Sequence, residues 1–283
     1  MNPDFIPASL PTSPSSAPAP LELIVCDNDG CLMPEAPAPL DVAHFEPIAA
    51  YNRQAAAEGS ALPPLTIATG RPVPFVELLL RLVHAGEFPA ICEHGALTYS
   101  LAENMARRDP ALTAERRGML PELREDLHRA NPDWIFEAGK EGMVSVYVPE
   151  GGAAVDERVE TVRELIDARG WPMKVNRTVT YVNLTFPEID KGVALRRLLT
   201  DRRIDARHVL AIGDTAGDLP LRDVCGFFAC PANATAEVRS AADYVSHFAE
   251  RDGVIDILRR FTSAPALSRT GRSPSGEDRP GEV

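Results

Sequence analysis

The stretch Leu21-Glu22-Leu23-Ile24-Val25-Cys26-Asp27-Asn28-Asp29-Gly30 decides the fold. Residues 21–26 are a short, mostly apolar run, and the four residues after them are acids and turn formers. An apolar run without alternation predicts a strand buried on both faces, which belongs in a parallel sheet covered by helices. The same pattern recurs outward from this point. Residues 65–68 form a second buried strand that stops at Thr69-Gly70-Arg71. Pro72 then opens a helix whose apolar positions Phe75, Leu78, Leu79, Leu82 and Val83 recur at helical spacing. Residues 89–92 make a third short strand. A further helix, with Pro47 in its first turn and an end near Gly59, lies between the first two strands.

The middle of the chain reads differently. Helical stretches fall near 120–130 and 155–169, and alternating strands at 143–148 and 179–186, with 134–136 a weaker candidate. In the last strand Val182, Leu184 and Phe186 share one face, and Tyr181, Asn183 and Thr185 the other. Alternation of this kind predicts an antiparallel α+β module with one exposed face. After Pro187 the buried-strand pattern returns: Asp190-Lys191-Gly192 starts a helix, and residues 209–212 form a strand stopped by Gly213-Asp214. Short segments follow at 227–229 and 244–246, then a helix near 254–261. The expected organisation is an α/β, Rossmann-like parallel core at 21–95 and 187–262, interrupted by an α+β cap at 96–186. Residues 1–20 and 263–283, rich in Pro, Ser, Gly and Ala, read as disordered tails.

Charge and cysteine usage narrow the setting. The 283 residues carry 29 Lys+Arg against 41 Asp+Glu, a formal net charge of −12 that opposes non-specific binding to nucleic acid or anionic membrane. The basic residues are nearly all Arg; the lysines are Lys140, Lys174 and Lys191. Five cysteines (Cys26, Cys31, Cys92, Cys225, Cys230) form no Cys-x-x-Cys pair and read as small hydrophobes in a reducing compartment. The sequence shows neither a signal-peptide pattern nor an apolar run near the roughly 20 residues of a membrane span. A cytoplasmic location is the expectation.

Ligands of a doubly wound sheet bind beyond the carboxyl ends of its strands. Here those ends carry Asp27 and Asp29, Thr69, and Asp214 and Asp218, while Lys191 begins a helix nearby in the chain. Each has an ordinary explanation alone, since acids cap turns and helices and a Lys is usually solvated. Together they are the set a phosphoryl group requires: carboxylates for a divalent cation, a hydroxyl, and a Lys as a point charge.

The groups Asp27-Asn28-Asp29-Gly30, Thr69-Gly70-Arg71, Asp190-Lys191-Gly192 and Gly213-Asp214-Thr215-Ala216-Gly217-Asp218 resemble the four motifs of the haloacid dehalogenase superfamily. Ala68-Thr69-Gly70-Arg71 and Ile91-Cys92-Glu93-His94-Gly95-Ala96 are similar to its Cof-like, subclass IIB branch, which includes sugar-phosphate phosphatases and phosphomannomutase. Ala242-Asp243-Tyr244-Val245 and Asp252-Gly253-Val254 look like that branch's closing segment. The resemblance implies a Mg²⁺-dependent phosphatase in which Asp27 attacks phosphorus and Asp29 acts as acid and then base. It implies Mg²⁺ ligation by Asp27, Asp214 and the backbone carbonyl of Asp29, with Asp218 acting through water or directly. Thr69 and Lys191 would hold the transferring group, and Arg71 would contact substrate or phosphate. Four positions depart from the pattern: Asn28 replaces an apolar residue, Cys31 a Thr, His94 an Asn and Gly217 an Asn.

The cap would supply specificity, with Lys174, Asn176, Arg177, Tyr181 and Asn183 as candidate contacts. Lys174 and Arg177 are suited to a second anionic group on the substrate, and Glu137, Lys140 and Glu141 form a charged turn that would also face it. A small phosphate ester, a sugar or polyol phosphate by resemblance, is the expected partner, and the oligomeric state is left open. The rival readings are a phosphomutase, which returns the phosphate to a reoriented sugar, and a non-catalytic sensor of a phosphorylated metabolite.

Overall fold

The computed structural model describes residues 20–35 and 38–262. The expected tails, Pro20 excepted, lie outside the described residues. Strand β1 (Leu23–Cys26) leads to helix α1 (Glu46–Ala55), strand β2 (Leu65–Ile67), helix α2 (Val73–Leu82) and strand β3 (Ala90–Cys92). Both helices have a proline in the first turn, where the missing N–H has no intrahelical partner to lose. A hairpin of β4 (Leu97–Ser100) and β5 (Met105–Arg108) follows, then α3 (Ala114–Ala130), β6 (Ile135–Phe136), β7 (Val144–Tyr147), α4 (Ala153–Arg169), β8 (Lys174–Arg177) and β9 (Tyr181–Thr185). The chain returns through α5 (Lys191–Arg202), β10 (Val209–Ile212), α6 (Leu219–Arg222), β11 (Phe227–Cys230), α7 (Ala236–Ala241), β12 (Tyr244–Val245) and α8 (Glu250–Thr262).

The main sheet has the order β12-β11-β10-β1-β2, and every pair in it is parallel. Alternate residues of its strands enter different cores, as a period of two requires. Ile24, Cys26, Leu210 and Ile212 pack in one hydrophobic cluster with Val76 and Leu80 of α2 and Val254 and Ile257 of α8. Leu23, Val25, Val209 and Ala211 pack in the other with Leu195, Leu198 and Leu199 of α5. Both faces are therefore covered, which is why these strands read as unbroken apolar runs. The acid-bearing strands β1 and β10 are direct neighbours, so their carboxyl-end loops open side by side.

The inserted module is a four-stranded antiparallel sheet of order β6-β7-β9-β8. Leu123 and Leu127 of α3 and Val155, Val162 and Ile166 of α4 pack with Val144, Val146, Val182 and Leu184 of this sheet. Helix α3 starts earlier than the apolar spacing predicts, because Thr113 caps it by accepting from the Arg116 N–H, and Pro121 sits inside it. The β4–β5 hairpin pairs with β3 instead of the module's sheet, and a bridge between Ala68 and Ile91 ties β3 to the end of β2. A division of the chain at 95/96, as expected from sequence, thus passes through a small sheet between β3 and β4. Strand β5 is exposed along its length and shows no alternation to betray it. Among the described residues, no helix is long and apolar enough to cross a membrane.

Candidate active site

Asp27 leaves β1 with its N–H still bonded to the Ile212 carbonyl at 2.9 Å, which fixes its position beside the end of β10. Its Oδ1 accepts from the Asn28 N–H at 2.7 Å and pairs with Lys191 Nζ at 2.9 Å. The loop then turns tightly: Gly30 has φ +77° and donates to the Met33 carbonyl at 2.7 Å. A Cβ at Gly30 would run into the Asp214 carboxylate, so this turn admits glycine alone.

Lys191 opens α5, where the Asp190 side chain caps the helix by accepting from the Val193 N–H at 2.8 Å. The Lys191 ammonium is 2% exposed and reaches Asp218 Oδ1 at 2.7 Å as well as Asp27. Burial works against its charge, but Asp218 and Asp27 hold it protonated, above the usual lysine range. Asp218 is itself fixed, its Oδ2 accepting from the N–H groups of Asp214 and Thr215, each at 3.1 Å. Thr69, fully buried, accepts from the Arg71 N–H at 3.1 Å through Oγ1, which leaves its hydroxyl proton for another acceptor.

Asp27, Asp214 and Asp218 each bring a carboxylate oxygen within 4.8 Å of the others. Burial, then the charge of Asp218, raises the Asp27 carboxyl to about 8; burial, then Asp27, raises Asp214 to about 9. Asp214 Oδ1 is buried without a hydrogen-bond partner. Three crowded carboxylates against one ammonium, with an orphaned oxygen among them, form a donor set that fits a hard divalent cation. The Asp29 side chain is not part of it, being turned to Arg71.

These two raised values predict a pH dependence. In the folded, metal-free protein Asp27 and Asp214 keep protons that the unfolded chain gives up near pH 4. Their contribution to stability is therefore greatest below about pH 4 and falls, by up to about 1.4 kcal/mol per pH unit for each proton, as pH rises to about 9. A bound divalent cation replaces those protons. The gain in Tm on adding Mg²⁺ should thus grow from pH 5 to pH 9, and a gain of equal size at every pH would contradict this.

The cleft above the acids is lined by both parts of the chain, with Thr69, Arg71, His94 and Lys191 from one and Lys140 and Tyr181 from the other. The structure brings Asp27, Asp29, Thr69 and Lys191 to this cleft and sets Asp214 and Asp218 beside Asp27. Arg71 reaches the cleft, but its guanidinium is turned to protein groups: Asp29 at 2.6 Å, Tyr181 at 3.0 Å and Glu137 at 3.1 Å. Lys174 and Arg177 do not line it. Arg177 pairs with Asp156 of α4 at 2.8 Å, and Lys174 stands exposed on the edge strand β8. The two lie three apart on one strand, so they point to opposite faces of the sheet.

Glu93 and Glu35 were not singled out from the sequence. Glu93, fully buried, accepts from the N–H groups of Glu141 at 3.0 Å and Gly142 at 2.8 Å, fastening the 137–142 loop to the core. Lys140 donates to the Gly70 carbonyl in the same place. Glu35 lines the cleft and accepts from the Val179 N–H at 2.8 Å, with no local pattern to reveal it. Glu93, His94 and Gly95 all have positive φ, at 49°, 53° and 103°, an unusual run that presents the His94 ring to the cleft. Burial, with Lys191 and Lys140 nearby, keeps that imidazole neutral, well below the usual histidine range. A Cβ at Gly217 would lie 3.6 Å from the His94 ring, so two of the four departures are neighbours in space. The Asn28 amide is buried without a partner, and nothing in the structure explains it.

A family model described as haloacid dehalogenase-like hydrolase matches residues 153–258, a span that contains Lys191, Asp214 and Asp218. Over that matched span the chain is similar to the haloacid dehalogenase-like hydrolases. Phosphoglycolate phosphatase of Methanothermobacter thermautotrophicus is 35% identical over 127 residues, which are 45% of this chain and 57% of that protein. The chain thus spans a little over half of that curated relative. A haloacid dehalogenase-like hydrolase of Bacteroides thetaiotaomicron shares the fold with a TM-score of 0.66 at 21% identity, covering 85% of this chain and 99% of that one. A Plasmodium vivax protein described as a HAD/COF-like hydrolase gives 0.68 at 17%, covering 88% and 97%. In this haloacid dehalogenase fold the parallel core carries the acids, and the inserted module closes the cleft above them.

Proposed function

We propose that this protein is a Mg²⁺-dependent phosphomonoesterase that acts on a small phosphorylated metabolite through an aspartyl-phosphate at Asp27. The observation that carries this reading is the setting of Asp27. One carboxylate oxygen is pinned by Lys191 and a backbone N–H, and two further acids lie within 4.8 Å. Asp27, Asp214 and Asp218 would hold Mg²⁺. When bound, the ion offsets the repulsion between the Asp27 carboxylate and an anionic phosphate.

An Asp27 oxygen forms a bond to phosphorus while the bond to the leaving oxygen breaks, and Asp29 gives its proton to that oxygen. Water then attacks the aspartyl-phosphate at phosphorus. Asp29 takes the proton, the bond from phosphorus to Asp27 breaks, and inorganic phosphate is released. Lys191 and the Thr69 hydroxyl hold the equatorial oxygens through both steps.

The substrate we propose is small and polar. The lining above the acids includes polar and charged groups such as Asn183, Tyr181 and Lys140. Sugar and polyol phosphates fit that description. So does phosphoglycolate, the substrate in the name of the archaeal relative. Phosphate release from a panel of these esters, with Mg²⁺ and with a chelator, tests the reading. Release on at least one ester that stops on chelation is expected. Metal-independent release, or transfer of the phosphate to a second sugar without net release, would contradict it.

A further inference from the structure

We infer that Glu137 and Tyr181, both on the inserted module, are positioning residues for the acid/base Asp29 and act on it through Arg71. The inference rests on the reading of Asp27 and Asp29 given above. Arg71 grips Asp29 with one edge of its guanidinium, Nε at 2.9 Å from Oδ2 and Nη2 at 2.6 Å from Oδ1. Its remaining nitrogen, Nη1, donates to Glu137 Oε1 at 3.1 Å and to the Tyr181 hydroxyl at 3.0 Å. The guanidinium also lies near two rings, 5.3 Å from the centroid of Phe75 on α2 and 5.1 Å from that of Tyr181. Half of what fixes Arg71 therefore comes from the core and half from the module.

The module's half is itself anchored. Glu137 pairs with Lys140 at 3.0 Å, Lys140 donates to the Gly70 carbonyl, and Glu93 holds the following two N–H groups. The chain of contacts runs from the Gly70 carbonyl through Lys140, Glu137 and Arg71 to Asp29. It closes on itself, because Gly70 and Arg71 are consecutive. A planar, forked cation suits this task because each edge fixes the other's angle. Separating the module from the core removes Glu137 and Tyr181 and leaves Asp29 held by an arginine free to turn. The acid/base is then in register only when the module is seated.

A proton donor matters greatly to an alkoxide leaving group and little to p-nitrophenolate, and this difference separates positioning from substrate contact. The test compares wild type, Tyr181→Phe and Glu137→Gln on glycerol 3-phosphate and on p-nitrophenyl phosphate, in steady state and before it. With glycerol 3-phosphate we expect each variant to lose about tenfold in kcat while KM stays within about twofold. With p-nitrophenyl phosphate the first-turnover burst of p-nitrophenol should keep its rate within about twofold, since that step needs no acid, while the later hydrolysis slows. A p-nitrophenol burst rate that falls as far as kcat on glycerol 3-phosphate, losses confined to KM, or no loss at all would overturn the inference while the nucleophile stands. Absence of turnover and of a burst in wild type would instead overturn the reading of Asp27, and this inference with it.

Discussion

The Asp27→Asn variant is expected to lose roughly four to six orders of magnitude in phosphate release while keeping its fold. The loss follows from removing the group proposed to bond to phosphorus, since nucleophile and acid/base act as a unit. The fold survives for a reason visible in the site. An amide oxygen can still accept from the Asn28 N–H, and Lys191 retains Asp218. The substitution also relieves crowding, because Asp27 is one of three buried acids facing a single ammonium. In chelator, the variant's Tm should therefore equal or exceed that of wild type. Activity within a hundredfold of wild type would mean that another residue bonds to phosphorus.

Lys191→Met is expected to damage both stability and turnover, and Mg²⁺ should separate the two. Its ammonium pairs with both Asp27 and Asp218, at 2.9 and 2.7 Å. Removing one member of a buried charged set costs about 3–5 kcal/mol, or roughly 10 °C in Tm for a chain of this size. A divalent cation supplies replacement charge near the same carboxylates, so adding Mg²⁺ should recover much of that Tm. It should not recover kcat, expected to fall by about two to three orders of magnitude, because the contact to the transferring phosphoryl is gone. Full recovery of both would reduce Lys191 to a structural counter-charge.

The core of the site was legible because each piece sits where a buried strand stops or a helix starts. Asp27, Thr69 and Asp214 follow runs of apolar residues that only a covered parallel sheet explains, and Lys191 follows a capping Asp190. Strand ends in such a sheet converge on one edge, so positions in the sequence become neighbours in space. The module was harder to read. Its strands alternate, which divides residues into two faces without saying which face meets the core. Their odd spacing puts Lys174 and Arg177 on opposite faces: Lys174, opposite Thr185, shares the face of the cleft-lining Asn183 and Tyr181, and Arg177 does not. Arg177 shares the helix-covered face with Val182 and Leu184 and pairs with α4.

Arg71 was placed at the cleft, but its carboxylate partner was not foreseen. A guanidinium in sequence looks equally suited to a phosphate and to a carboxylate, and only the geometry shows Asp29 bonded to two of its nitrogens. The same holds for the lysines. Of the three in the chain, Lys140 and Lys191 line the cleft, and the charge of Lys174 is felt at His94. Their scarcity was visible, but their convergence was not, since Lys140 arrives from a loop held by Glu93 far earlier in the chain.

The central claim is that Asp27 carries the phosphate between substrate and water, and rapid quenching of a single turnover tests it most directly. A ³²P-labelled ester mixed with excess protein and Mg²⁺, stopped in acid at successive times and digested, shows where the label resides. We predict label on the peptide containing Asp27, rising before inorganic phosphate appears and decaying as it accumulates. Phosphate released at the full rate with no label on Asp27, or with label on another residue, would contradict the account.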